Sequence, residues 1–210
     1  MNRTINLVVF DLDGTLTPVD SLWRYLHDEF GTWEQGMVAA QKYKRGEISY
    51  AEWAETDAAH WAKAPLSRIA TALDKIPYRE GAREVFRILR EKNVKTAIIS
   101  AGLSLLADKA AKELGADLAF SNELETGDGH LTGRIKVIVA VNNKKQIVEQ
   151  IASKLNIPLD EVALVGDRAF DLSHPKCLKI AYKPKDEYAR EQADFVVEDD
   201  DLSRILQYLI

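Results

Sequence analysis

Residues 7–10, Leu-Val-Val-Phe, are apolar at every position. An unbroken run of that kind marks a strand covered on both faces, as in a parallel sheet; a strand with one wet face would alternate. Three comparable runs follow, at residues 94–100, 117–120 and 162–165, and each comes after a stretch with helical spacing, at 82–92, 103–114 and 144–155. Residues 179–182 and 195–197 supply shorter strands. Strands alternating with helices predict βαβ units, hence an α/β fold built on a doubly wound, mostly parallel, Rossmann-like sheet.

Two segments break the alternation. Residues 18–77 hold no buried-strand pattern, are rich in Ala, Trp, Glu and Lys, and contain all four tryptophans, Trp23, Trp33, Trp53 and Trp61. They read as a set of helices inserted into a core formed by residues 1–17 and 78–210. In residues 121–139, Gly127-Asp128-Gly129 separates two mixed apolar and polar stretches, which predicts a β-hairpin.

Composition narrows the function classes. A chain of 210 residues with 46% hydrophobic and 29% charged residues can bury a sizeable core. A net charge of −5 gives no reason to expect a nucleic-acid partner, which shows itself as a basic patch. The N-terminal apolar run is too short for a signal peptide or a membrane span, and no later segment approaches 18 apolar residues, so a cytoplasmic protein without a membrane partner is expected. Cys177 is the single cysteine, which excludes an internal disulfide and fits a reducing compartment.

The candidate chemistry lies where the predicted strands end. Asp11-Leu12-Asp13-Gly14-Thr15-Leu16-Thr17 follows the first strand directly. In doubly wound sheets the ligand crevice lies outside the carboxyl ends of the strands. Gly14 permits the turn that lets Asp11 and Asp13 face one site. Paired carboxylates repel and call for a cation, and oxygen ligands in a phosphate-handling site favour Mg²⁺. A carboxylate can also serve as a nucleophile. Ser100, ending a later strand before Ala101-Gly102, suits a phosphate oxygen or an N-cap equally well. Lys144 and Lys145 open a helix, where an ammonium can neutralise both a nucleophilic carboxylate and a phosphate oxygen; spacing does not choose between them. Gly166-Asp167-Arg168-Ala169-Phe170-Asp171 puts two more carboxylates at a strand end. These four elements share one edge of the inferred sheet.

In that order, the motifs resemble those of the haloacid dehalogenase-like superfamily, and within it the phosphoserine phosphatase branch, over nearly the whole chain. The resemblance implies a phosphomonoesterase with Asp11 as nucleophile and Mg²⁺ ligand. It implies that Asp13 is the general acid and base, with its backbone carbonyl on the metal, that Asp167 is a further ligand and that Asp171 supports the site. It selects Lys144 over Lys145. The phosphate- and substrate-binding set is then Thr15, Ser100, Ala101, Gly102, Asp20 and Asp57, and the helical insertion becomes a cap domain. A second acid at Asp13 argues against a dehalogenase, which has no leaving oxygen to protonate.

This chain departs from the family pattern in informative places. In the fourth motif, usually G-D-G-x-N-D, Arg168 replaces the second glycine and Phe170 the asparagine. In the cap, Asp20 stands where the family places a glutamate that meets the substrate amine, and Asp57 where it places an arginine that pairs with the substrate carboxylate. An acid repels a carboxylate. Asp20, Asp57, Trp53 and Trp61 therefore suggest a polyol, sugar or amine-bearing phosphate rather than phosphoserine. The expectation is a small-molecule phosphomonoester substrate and a monomer or homodimer. A phosphotransferase acting on an alcohol, or a non-catalytic protein binding phosphorylated metabolites, are the alternatives.

Overall fold

The computed structural model describes residues 4–210; the first three residues assigned to the core lie outside the described residues. The strands are β1 (Leu7–Phe10), β2 (Lys95–Leu103), β3 (Leu118–Gly127), β4 (His130–Lys136), β5 (Val162–Gly166), β6 (Leu178–Tyr182) and β7 (Phe195–Val197). The α-helices are α1 (Leu22–Phe30), α2 (Trp33–Lys44), α3 (Tyr50–His60), α4 (Leu66–Leu73), α5 (Ala82–Glu91), α6 (Ser104–Leu114), α7 (Lys144–Leu155) and α8 (Glu187–Gln192). The strands form one seven-stranded sheet in the order β4-β3-β2-β1-β5-β6-β7, parallel except for β4.

The apolar run of β1 is buried at all four positions, and its side chains alternate between two cores. Val8 and Phe10 point into a cluster with Phe86 and Leu89 of α5, Leu106 of α6, and Leu22, Leu26 and Trp61 from the segment between β1 and α5. Leu7 and Val9 point into a second cluster with Ile147, Val148 and Ile151 of α7 and Ala189 of α8. Each fully buried large apolar side chain contributes roughly 1.5–3 kcal/mol. The two-sided cover is what makes an uninterrupted apolar strand stable.

Two expectations change in detail. The run at 117–120 and the first arm of the hairpin are one strand, β3, which pairs in parallel with β2 and then antiparallel with β4. The polar residues Ser121 and Asn122 look like a break in the sequence but are buried in mid-strand. The second change concerns β2, which runs through residues 100–103 and meets α6 at Ser104. The N-cap of α6 is Leu103, without a side-chain cap, so Ser100 is not a helix cap.

Between β1 and α5 lie α1 to α4, as the helical reading of this segment predicts. α1 opens on Ser21, whose hydroxyl accepts from the Arg24 amide, and ends on Gly31 in the left-handed region. α3 opens with a full capping box between Ser49 and Glu52. These signals fix where the helices begin and end, and so which residues face the sheet.

Candidate active site

β1 is flanked by β2 and β5, and register aligns Phe10 with Ile98 and Val165. The residues at or beyond the ends of these strands therefore gather at one edge: Asp11 and Asp13 after β1, Ser100 near the end of β2, Asp167 after β5. The Asp11 amide donates to the Val165 carbonyl at 2.9 Å, which ties the first motif to the fourth. Lys144, the first residue of α7, enters from the side.

The ammonium of Lys144 is 2.5 Å from Asp11 Oδ1 and 2.5 Å from Asp171 Oδ1, with all three side chains buried. One carboxylate oxygen from each of Asp11, Asp167 and Asp171 lies within 4.8 Å of the others. Three acids thus share one buried lysine, and the surplus negative charge needs a cation. Asp167 Oδ2 is buried with no hydrogen-bond partner, as expected of an oxygen reserved for a metal. The donor set, carboxylate oxygens only, suits Mg²⁺. Gly14, at φ +84°, makes the close approach possible: a Cβ there would lie 2.2 Å from Asp167 Oδ2.

Electrostatics follow from the crowding. Burial works against charge on Lys144, but Asp11 and Asp171 outweigh it and hold the ammonium above its usual range. Burial, then Asp11 and Asp171, push Asp167 up; burial, then Asp11, pushes Asp171 up. Burial and the Asp11 charge push Asp13 up to about 7. Its carboxylate is not part of the three-acid cluster: Oδ2 accepts from the Leu22 amide at 2.7 Å, while Oδ1 is buried and free of hydrogen bonds. A carboxyl that exchanges its proton near neutrality can act as either acid or base.

A cavity of about 130 Å³ opens onto this cluster. Its inner wall is Asp11, Asp13, Ser100, Ala101, Gly102, Lys144 and Asp167, and its outer wall includes Asp20, Trp23, Tyr50 and Trp53 from the inserted segment. Ser100 Oγ accepts from the Gly102 amide at 2.9 Å. The expectation that Thr15 binds phosphate is corrected: it is fully buried, with its hydroxyl unpartnered, and does not line the cavity. Asp20 lies at the mouth, 2.7 Å from the ammonium of Lys185, whose backbone amide donates to the Asp167 carbonyl.

The expectation for Asp57 requires correction. The residue is 1% exposed, does not line the cavity, and places Oδ2 3.2 Å from His27 Nε2. His27 Nδ1 is 2.8 Å from Thr32 Oγ1. Helix α3 points Tyr50 and Trp53 at the cavity and turns Asp57 into the interior of the inserted helices, where α1 carries the matching histidine. Trp61 is likewise interior, its ring stacked on Trp23.

The departures in the fourth motif also find a place. Phe170 sets its ring 5.1 Å from the Lys144 ammonium, and both Arg168 and Phe170 line the cavity. Sequence reasoning gives no site role to Tyr50, Trp23 or Asn122. The signal available for Asn122 is a polar residue inside an apolar strand pattern; the sequence reading places it in a hairpin arm and gives it no role.

A sequence model of the family described as haloacid dehalogenase-like hydrolase matches residues 5–176. The chain belongs to that family. It is 38% identical over 171 residues to a phosphoserine phosphatase of Archaeoglobus fulgidus, covering 81% of this chain and 49% of that one, so it spans about half of that relative's length. To a phosphoserine phosphatase of Methanocaldococcus jannaschii it is 31% identical over the full length of both. A solved structure of a phospho-aspartyl intermediate analogue of phosphoserine phosphatase superposes with a TM-score of 0.83 at 30% identity, covering 99% of this chain and 100% of that one. The chain is a phosphatase-type hydrolase of this family, similar to phosphoserine phosphatases. Among the described residues no helix is long and apolar enough to cross a membrane.

Proposed function

We propose that this protein is a Mg²⁺-dependent phosphomonoesterase that works through an aspartyl phosphate on Asp11, with a small phosphorylated metabolite as substrate. The observation that carries this reading is the Lys144 ammonium set between Asp11 and Asp171 at the carboxyl edge of the sheet, with Asp167 alongside. Residues 18–77 act as the cap over a core of residues 1–17 and 78–210.

Asp11, Asp167 and the Asp13 carbonyl would hold the metal, supported by Asp171; when bound, it would neutralise phosphate charge and the repulsion among the acids. Lys144 neutralises Asp11 on its other side. Ser100 and the Gly102 amide, which line the cavity, receive phosphoryl oxygens. The Asp11 carboxylate attacks phosphorus in line with the ester oxygen, and Asp13 gives its proton to the departing alkoxide. Asp13, now a base, takes a proton from water, whose oxygen attacks the same phosphorus, releasing inorganic phosphate and restoring Asp11.

The outer wall bears on specificity. Trp23, Tyr50, Trp53 and Asp20 line it, and among the described residues no arginine of the inserted helices does. Asp57 faces His27, so repulsion by Asp57 has no part; the absence of a cap cation remains. L-phosphoserine is accordingly expected to be poorer than phosphomonoesters without a carboxylate, measured as kcat/KM. Arg168 favours a second reading, since it is a cavity-lining cation on the core side. Efficient phosphoserine hydrolysis that disappears in Arg168→Ala would assign the carboxylate to Arg168.

The direct test is Asp11→Asn. It is expected to abolish hydrolysis of p-nitrophenyl phosphate with Mg²⁺ while the protein stays folded. Full turnover in that variant would reject the nucleophile. Phosphate release without any alcohol acceptor distinguishes hydrolase from phosphotransferase.

A further inference from the structure

The carbonyl of Ala101 accepts hydrogen bonds from three side chains. Trp23 Nε1 donates from 3.0 Å, Tyr50 Oη from 2.5 Å and Asn122 Nδ2 from 3.0 Å. Trp23, Tyr50 and Asn122 are all buried. Asn122 is itself locked: its Nδ2 also donates to the Val139 carbonyl, and its Oδ1 accepts from the amides of Ile138 and Val139. Burial pushes the Tyr50 phenol up, so the hydroxyl stays a donor. Trp23 belongs to α1 and Tyr50 to α3, both in the inserted segment, whereas Asn122 belongs to β3. Two of the three donors therefore come from outside the sheet.

The peptide thus held is the one between Ala101 and Gly102. In a trans peptide the carbonyl and the N–H point in opposite directions, so fixing one aims the other. The opposite end here is the Gly102 N–H, 2.9 Å from Ser100 Oγ. Gly102 also lies next to the general acid: a Cβ on it would stand 3.4 Å from Asp13 Oδ2. Donors gathered on a carbonyl polarise the whole peptide and strengthen its N–H as a donor. A carbonyl has two lone pairs, and three side-chain donors on one exceed what satisfying a buried acceptor requires.

We infer that Tyr50 and Trp23 are positioning residues, which hold the Ala101 carbonyl so that the Gly102 N–H, which meets Ser100 Oγ, is fixed within the loop that receives a phosphoryl oxygen. The phosphate cradle is then complete only when the inserted helices are seated on the sheet, and substrate capture and phosphoryl stabilisation are one event. This rests on the reading of residues 100–102 as the phosphoryl-binding loop.

Tyr50 and Trp23 also line the cavity, so the test must separate aiming the amide from touching the organic part of the substrate. Tyr50→Phe keeps the ring and removes the hydroxyl; Trp23→Phe removes the N–H. Two readouts with Mg²⁺ present decide the matter: kcat/KM for p-nitrophenyl phosphate, and affinity for orthovanadate by calorimetry, since orthovanadate mimics the phosphoryl group in flight and carries no organic moiety. Each variant is expected to lose about tenfold in both, by the same factor, in protein that stays folded. The double variant is expected to lose less than the product, because the two donors act on one carbonyl. Turnover that falls while orthovanadate affinity stays at the wild-type value would overturn the inference, as would unchanged values in both. A lower melting temperature with wild-type orthovanadate affinity would reduce the clamp to a structural contact. If the wild type binds orthovanadate but does not hydrolyse the ester, the phosphatase reading fails while the binding comparison still decides the clamp. A wild type that does neither overturns both.

Discussion

The tightest steric demand in the site falls on Gly14, and replacing it with alanine separates two costs that usually arrive together. The first is conformational: an alanine at φ +84° costs about 1–2 kcal/mol for a left-handed backbone. The second is local. The new Cβ would lie 2.2 Å from Asp167 Oδ2 and 2.8 Å from its Cγ. Non-bonded atoms rest about 3.5 Å apart, so roughly 1 Å of movement is required. The Asp167 backbone is pinned by the Lys185 amide at 2.8 Å, so the side chain must swing. A reacting or ligating group misplaced by about 1 Å loses on the order of 100-fold in turnover, and disturbed ligand geometry weakens metal binding by about 10–100-fold. Gly31→Ala is the control, for Gly31 has φ +69° and a Cβ added to it would meet nothing within 4 Å. It bears the conformational cost alone. Urea denaturation in EDTA is expected to show a loss of about 1–2 kcal/mol for Gly31→Ala and a larger one for Gly14→Ala. A Mg²⁺ titration of p-nitrophenyl phosphate hydrolysis is expected to shift only for Gly14→Ala. Equal stability losses, together with a wild-type Mg²⁺ half-saturation in Gly14→Ala, would refute the claim that this glycine exists to admit Asp167.

Two further outcomes test other parts of the molecule. Lys144→Met removes the cation between two buried carboxylates and is expected to cost about 3–5 kcal/mol in EDTA, read from urea denaturation, with turnover lost; a stability within roughly 1 kcal/mol of wild type would mean that the acids are not charged together. Asp57→Ala leaves His27 Nε2 without its partner inside the inserted helices and is expected to lower stability by about 1–3 kcal/mol. Its KM for p-nitrophenyl phosphate is expected to stay at the wild-type value, and a large KM change would return Asp57 to the cavity.

Much of this was legible in the chain, for identifiable reasons. The run at residues 7–10 was readable because a two-sided strand must be apolar at every position. The site edge was readable because parallel strands bring their carboxyl ends to one side, whatever the side chains. What escaped depended on partners distant in sequence. Lys144 and Lys145 are indistinguishable as letters; the rotation of α7 buries the first and exposes the second. Asp57 was expected to face substrate; that it faces His27, on another helix, is not written in its own segment. Asn122 carried no site signal in its hairpin arm, because a buried polar residue fits a strand only when every hydrogen bond is met, and its partners lie at residues 101, 138 and 139.

The two halves of the cavity are held by different physics, and this bears on how far kinship extends. On the core side, Asp11, Asp167, Asp171 and Lys144 are buried together, and losing Lys144 would leave the acids without a counter-charge away from water. Folding itself therefore penalises changes there, so the chemistry is expected to travel with the fold. On the other side, Trp23, Tyr50 and Trp53 are packed aromatics whose demands are shape and a few hydrogen bonds. Substitutions of similar volume at such positions cost little stability. Asp57 illustrates the freedom: an acid is received there by a histidine on a neighbouring helix, without disturbing the sheet. Likeness to phosphoserine phosphatases thus speaks for the phosphoryl half of the reaction more strongly than for the alcohol. The Ala101 carbonyl is where the two halves meet, since side chains from the variable wall there hold a peptide of the constrained one.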